Sequence, residues 1–421
     1  MEPRTRRITA AISAVATVIG LVVALVVLAP ASQAVGSNRG RNAALPNDLP
    51  FPTTPSDTTT TGPSSAPVTM TLTPIDQSDT AGRVHVVTAA LLDTTSNSPV
   101  VGVRVLFTIS TGPNPGLAGE CVGSCTTDVD GKASWTYQSN GQIGVDTILA
   151  FGDTNQNDQP DDGEAEASTT QAWTPPTRSR ISPHWAGYVQ KNLSKNTTMV
   201  SAQITVPDLA PQGCVDSRVN ASQSAAMWVG FNGDLDEAIY LPQVGIETDC
   251  LAGNEGSQCT GKIGGADYYL WWETDPNKPQ TSDNCIRGLP IKPGDKVNLS
   301  VQHDGNVAYM SAQVLHPDGS ESQTWFERFT PPWWVFWPVP FDSMECLVEA
   351  PFIFNSGGGT TTLARFGSVQ FNDCSAVDTY TPGKTLVRID MMNHRAVRAT
   401  TSAVSLSPTG RSSFSVDWKG P

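Results

Sequence analysis

The chain is expected to be all-β, an immunoglobulin-like β-sandwich followed by a larger two-sheet antiparallel sandwich of jelly-roll or lectin-like type. Three features lead there. Apolar and polar residues alternate in short runs, turns containing Gly, Asn and Asp separate those runs, and no window shows the apolar spacing of a long amphipathic helix. With 421 residues there is length for two domains and a sizeable core.

The elements follow in order. Residues 1–34 open with the basic "MEPRTRR", continue with the apolar "ITAAISAVATVIGLVVALVVLA" and close on the small residues of "PASQA". This is a signal peptide cleaved after Ala34 or, since the apolar run is long enough to span a bilayer, a signal anchor with Arg4, Arg6 and Arg7 inside. Either way the remainder is exported, as a secreted protein or a membrane-anchored one at the cell surface. Residues 35–67, with "FPTTPSDTTTTGPSSAP", form a Pro/Ser/Thr-rich linker too poor in large apolar side chains to pack. Alternation begins at "VTMTLTPI" and runs through "GRVHVVTAALLD", "VGVRVLFTIS", "KASWTYQS" and "DTILAFGD", which sets the first sandwich at residues 68–173. "TPPTRSRISP", residues 174–183, reads as a second linker. From His184 the strand-like runs resume and set the second sandwich at 184–421.

A net charge of −14 argues against nucleic acid or an anionic membrane surface as partner. Eight cysteines in an exported chain favour disulfides over metal ligation or redox chemistry. Cys121 and Cys125 are near enough to close a small loop, and the spacing of the other six leaves their pairing open.

In the first sandwich, "DTNQNDQPDDGE" places Asp153, Asn155, Asn157, Asp161 and Glu164 at positions 1, 3, 5, 9 and 12 of a twelve-residue loop. That is the spacing of a site for a hard cation, and structural calcium is the candidate. Asp158 stands at the sixth position, where such loops use glycine, so a solvated acidic hairpin is the plain alternative. The order of "VVGVRVLFTISTGPNPG", "CTTDVDGKASWTY" and this loop resembles bacterial immunoglobulin-like domains of the invasin type, which serve as spacers or adhesive stalks.

The second sandwich has no GxSxG elbow, HExxH pair or phosphate-cradling glycine loop. Nothing sets His184, His303, His316 or His394 beside a nucleophile, so hydrolysis would rest on carboxylates. In "SMECLVEAP", strand alternation puts Glu345 and Glu349 on one face and Cys346 and Val348 on the other. Four residues at ~3.3 Å each separate the two acids by about 13 Å, too far to share a proton. In "YYLWWETDP", Glu273 shares a face with Trp271, while Trp272 points the other way. In "AIYLPQVGIETDC", Gln243 interrupts an apolar run. A buried amide without partners costs roughly 1–3 kcal/mol, so it is either satisfied by its neighbours or faces a cleft. Pro242 before it suggests an edge or bulged strand.

"HWAGYV", "VSAQITVPD", "AMWVGFNG", "LPQVGIET", "YYLWWETDP", "IKPGDKVNLSV" and "MECLVEAP" stand in the order found in the glutamic peptidases, the eqolisins, and the resemblance continues through "ARFGSVQF" and "TLVRIDMMN". It implies an exported acid endopeptidase that acts on polypeptides without a cofactor. The family's catalytic glutamine and glutamate fall on Gln243 and Glu349. Glu345 matches a first acid that is not the catalytic one, and Trp228, Trp271 and Glu273 match residues lining the cleft. Asn232 stands where an aspartate is common and is carried over as a substrate-binding position.

The chemistry suits the pair. As a carboxylate Glu349 can take a proton from water and return it to the departing amine, while Gln243 offers both an acceptor and donors, to orient the water and hold the oxyanion. An ordinary glutamate pKa near ~4.3 points to an acidic optimum. Two other readings fit the same strands: a non-catalytic adhesin or carbohydrate-binding protein whose aromatics stack on sugars, and a glycoside hydrolase using two acids ~5–9.5 Å apart. The Trp/Pro-rich "TPPWWVFWPVPF" is expected either to contact substrate at the cleft mouth or to plug the sandwich.

Overall fold

The computed structural model describes residues 68–211, 213–214, 222–234, 240–275, 282–332, 341–351, 361–393 and 396–420. The segments read as leader and first linker, the stretch from Trp333 to Pro340, and His394 lie outside them. Among the described residues the only helical pieces are α1 (Ser375–Asp378) and a 3-10 turn at Ser282–Asn284; everything else regular is strand. None of their helices is long and apolar enough to cross a membrane.

The first part holds β1 (Val68–Thr73), β2 (Gln77–Thr80), β3 (Val84–Asp93), β4 (Ser98–Pro99), β5 (Arg104–Thr111), β6 (Glu120–Cys121), β7 (Lys132–Gln138), β8 (Gly144–Asp153) and β9 (Glu166–Thr174). They form two sheets, β1-β3-β7-β6 with β4 beside β3, and β2-β9-β8-β5. Alternation decides which side chains meet between them. Val87, Ala89 and Leu91 of β3 and Ala133, Trp135 and Tyr137 of β7 share one core with Val105, Ile109, Ile148, Ala150 and Trp173 from the other sheet. Within that core Asp146 is fully buried. Its carboxylate accepts the Asn114 backbone N–H at 3.0 Å, the Asn114 side-chain amide at 2.8 Å, the Tyr137 hydroxyl at 2.8 Å and the Trp173 indole N–H at 2.7 Å.

The second part begins earlier than its sequence suggests. Residues 174–183, expected as linker, contain β10 (Thr177–Ser182), which runs parallel to a strand far along the chain. After it come β11 (Trp185–Lys191), β12 (Met199–Thr205), β13 (Gln223–Phe231), β14 (Leu241–Gly256), β15 (Ile263–Asp275), β16 (Lys296–Asp304), β17 (Val307–Leu315) and β18 (Trp325–Phe329). The rest are β19 (Ser343–Glu349), β20 (Thr362–Leu363), β21 (Ser368–Asn372), β22 (Thr385–Asn393), β23 (Ala396–Thr401), β24 (Ser405–Leu406) and β25 (Ser412–Trp418). They make one continuous hydrogen-bonded path, β15-β14-β13-β19-β11-β22-β23-β25-β21-β12-β16-β17-β18, with β10 on β22. The path doubles back, so β13 and β14 lie against β12, β16 and β17, and the main core fills the space between.

Each strand of the first layer therefore has two kinds of side chain. Met227 and Val229 of β13, Val244 and Ile246 of β14, and Cys346 and Val348 of β19 enter the main core. Ala226 and Trp228, Tyr269 and Trp271, and Leu347 gather on the opposite face with Val189, Val387 and Ile389. Trp272 packs toward the main core, opposite to Trp271, as alternation required. Pro242 does not mark an edge or a bulge. Strand β14 lies between β13 and β15, its register with β15 is unbroken from Leu241 to Leu251, and the irregularity comes only after that. Proline is tolerated there because it is the second residue of the strand.

Four disulfides use all the cysteines: Cys121–Cys125, as its spacing suggested, and Cys214–Cys250, Cys259–Cys285 and Cys346–Cys374.

Candidate active site

Strand register sets the rows of the second face. In one row Glu273, Gln243, Gly230 and Glu345 stand side by side on β15, β14, β13 and β19. Two residues along come Trp271, Gly245, Trp228 and Leu347, and two further come Tyr269, Glu247, Ala226 and Glu349, with Trp185 of β11 beyond. Gln243 and Glu349 thus share a face and flank β13 from its two sides, offset by four residues, about 13 Å along the strands at ~3.3 Å each. Trp228 stands between them.

The glycines make room for the indoles. A Cβ on Gly245 would come within 2.8 Å of both Trp228 Cβ and Trp271 Cζ2, and one on Gly230 would come 3.1 Å from Trp228 Cζ3. Any larger residue would push the rings off the sheet.

Gln243 is 5% exposed and its side-chain oxygen has no hydrogen-bond partner. A buried acceptor left open is costly in a merely structural residue. Glu349 keeps partial accessibility but is ringed by protein atoms. Burial pushes its carboxyl up to about 7, against the downward pull of the Trp185 and Trp228 indoles. The Trp228 N–H donates to Glu349 Oε2 at 2.9 Å, whereas the Trp185 N–H faces the carboxyl without a well-formed hydrogen bond. Glu345 is fully buried, and burial raises its carboxyl to about 8. Its Oε1 accepts the Ser343 hydroxyl at 2.5 Å and the Asp234 backbone N–H at 3.3 Å, and its Oε2 is unpartnered.

The remaining sequence candidates sort unevenly. Trp228 and Trp271 are 1% and 2% exposed and form the floor of the face, while Glu273 sits beside Gln243. Asn232 is 1% exposed, its amide donates to the Tyr240 carbonyl at 3.2 Å, and its oxygen accepts the Asp342 N–H at 3.1 Å. Buried and spoken for, it holds the turn after β13 instead of lining a cleft. The structure also shows acids that the sequence reading passed over. Glu247 and Asp249 lie on the Gln243 face of β14, and Asp267 of β15 pairs with Asp249. Burial raises Asp249 to about 6, against hydrogen bonds from Ser224 and Tyr269. The alternation that put Gln243 and Glu247 two positions either side of Gly245 was the signal for them.

The loop proposed for calcium closes on itself. Asp153 accepts the Asn157 and Asp158 N–H groups, Asp161 Oδ2 accepts both the Asn155 and Asn157 side-chain amides, and Glu164 accepts from Thr154 and Asp161. The Asn155 and Asn157 side-chain amides thus both lie against Asp161, and Asp153 and Glu164 are held by loop N–H groups. Among the described residues no group of three or more His, Cys, Asp or Glu is placed to hold a metal.

Gln243 and Glu349 thus stand on one sheet face floored by Trp228 and Trp271. The Peptidase A4 family matches residues 183–418, and the chain belongs to that family; it is a peptidase of the glutamic type, whose catalysis needs no cofactor and whose substrates are polypeptides. No curated protein matches it. Among solved structures, the adhesin InvE of Yersinia pseudotuberculosis aligns at 14% identity with a TM-score of 0.21, over 63% of this chain and 59% of that one. A likeness of that size carries no argument.

Proposed function

We propose that the protein is an exported endopeptidase in which Glu349 moves the protons and Gln243 holds the oxyanion. The observation that carries this reading is the open oxygen of a 5%-exposed Gln243 on the same face as Glu349. Glu349 as carboxylate takes a proton from water, and the water oxygen bonds to the scissile carbonyl carbon. The Gln243 NH2 donates to the oxygen that gains charge. The protonated Glu349 then delivers its proton to the amide nitrogen, the C–N bond breaks, and a free carboxyl and an amine leave. Reaching one carbonyl requires both side chains to lean over Trp228 from opposite sides, and the Trp228–Glu349 bond already draws one of them there.

The raised carboxyl changes the pH expectation. With Glu349 near 7 the base form is gained at higher pH than an ordinary glutamate would require. Buried acids make the fold most stable at low pH, so the two trends oppose one another and place the optimum in the mildly acidic range, ~pH 5–6. Export rests on the leader-like residues 1–34, and the first sandwich, read as an immunoglobulin-like spacer, carries the peptidase away from the membrane if that segment is kept.

The test is digestion of an unfolded protein substrate from pH 2 to 8 by wild type, Gln243→Ala and Glu349→Gln. Loss of about 10²–10³-fold in each variant, with folding intact, supports the pair. Equal rates in all three remove it.

A further inference from the structure

The family match starts at residue 183, yet β10 precedes it and is built into the catalytic sheet. Arg180 pairs in register with Ile389, one of the apolar residues of the site face, so its side chain emerges on that face. There it hydrogen-bonds Asp234 in the turn that follows β13. Lys191 Nζ, from β11, lies 2.5 Å from the other oxygen of the same carboxylate, whose side chain is 4% exposed. This turn folds back across β19: Asn232 N–H donates to the Ser343 carbonyl, and Asp234 N–H donates to Glu345.

The turn bears directly on the indole that serves Glu349. A Cβ on Gly233 would come within 3.0 Å of Trp228 Cη2 and 3.5 Å of the Glu345 carboxyl carbon. The outer edge of Trp228 is therefore boxed by Gly230, Gly233 and Glu345, while its N–H, on the pyrrole side, donates to Glu349. A push at one end of a flat, rigid ring is felt at the other.

We infer that Arg180, on a strand outside the family-matched segment, is a positioning residue for the peptidase: by fixing Asp234 it seats the Gly233 turn against Trp228 and so aims the indole N–H at Glu349. The ion pair is largely withdrawn from water on the Asp234 side, which makes it stronger than a surface pair of the same length. Releasing it lets the turn lift and the indole tilt. The inference rests on the role proposed for Glu349, and its test is chosen to separate the two.

Full-length Arg180→Met and Arg180→Lys would be compared with wild type in two measurements, steady-state kinetics and the titration of the Glu349 carboxyl by carbon NMR, assigned by the resonance lost in Glu349→Gln. Arg180→Met is expected to lower kcat about tenfold or more with little change in KM, as small misplacements of a catalytic group do. The Glu349 midpoint should move up, because a hydrogen bond to its charged form is weakened. Arg180→Lys, keeping the charge, should restore most of both. An unchanged kcat together with an unmoved midpoint in Arg180→Met overturns the inference. If that variant does not fold, Asp234→Asn is read in the same way. A midpoint that moves in a protein whose rate ignores Glu349→Gln would leave the bracing intact and remove the catalytic role of Glu349 instead.

Discussion

The carboxyls inside the two sandwiches differ in how many donors enclose them. Asp146 is enclosed by four donors from Asn114, Tyr137 and Trp173. Glu345 has an unpartnered oxygen, and Glu349 takes a single well-formed donor from its surroundings. The first arrangement holds its side chain still. In the second, lone pairs stay open and burial raises the carboxyls, to about 8 for Glu345 and about 7 for Glu349; at Glu349 a raised value suits the proton transfer proposed for it. Burial is common to both; the count of donors separates them.

The contrast can be broken most forcefully at Glu349. Replacing it with glutamine should cost about 10²–10³-fold in kcat at every pH while the thermal midpoint holds or rises. Near-normal turnover would mean that an underpaired acid on this face is no sign of catalysis. Asp146→Ala is the mirror experiment. It strands four side-chain or backbone groups in a dry core and should destabilise the first sandwich by about 3–5 kcal/mol in chemical denaturation, without altering the chemistry of the peptidase site. A mild loss would show that its hydrogen bonds are replaceable.

Next comes the pH dependence of stability. Asp249, Glu345 and Glu349 all have folded pKa values above their ordinary ones, at about 6, 8 and 7. The folded state thus binds these protons more tightly than the unfolded chain does. Their contribution is complete below about pH 4 and is lost as pH rises through about 8. The melting temperature should accordingly fall steadily from pH 4 to 8, and Glu345→Gln should flatten the upper part of that fall. A melting temperature that climbs over this range would contradict the raised carboxyls. The smallest effect is expected at the acidic loop of the first sandwich. Millimolar calcium should shift its melting by less than about 0.5 kcal/mol, since the loop oxygens already accept N–H groups. A saturable shift of several degrees would instead establish a cation site there.

Much of this was legible from alternation alone. The period of two along "LPQVGIET" and "MECLVEAP" puts Gln243, Glu247, Glu345 and Glu349 on one side and valine, isoleucine and cysteine on the other, as the structure shows. The motif order then singled out Gln243 and Glu349 as the pair proposed for catalysis. What alternation could not supply was which strands neighbour one another. The row that joins Gln243 to Glu345 across Gly230 depends on the pairing of Gly230 with Glu345, residues more than a hundred positions apart. The same limit hid β10. "TRSRIS" has the Pro-rich flank and scattered charges of a connector, and only the partner β22, some two hundred residues on, makes it a strand. Asn232 misled for a related reason, because a motif position says where a side chain is attached and not which carbonyl takes its amide.

Cys346 sits between Glu345 and Glu349, and its bond to Cys374 reaches them from behind, through the main core. The strand that carries both acids is in effect riveted to the opposite layer. Without that bond β19 would keep its backbone pairings with β11 and β13 but lose its only covalent tie to the far side of the core.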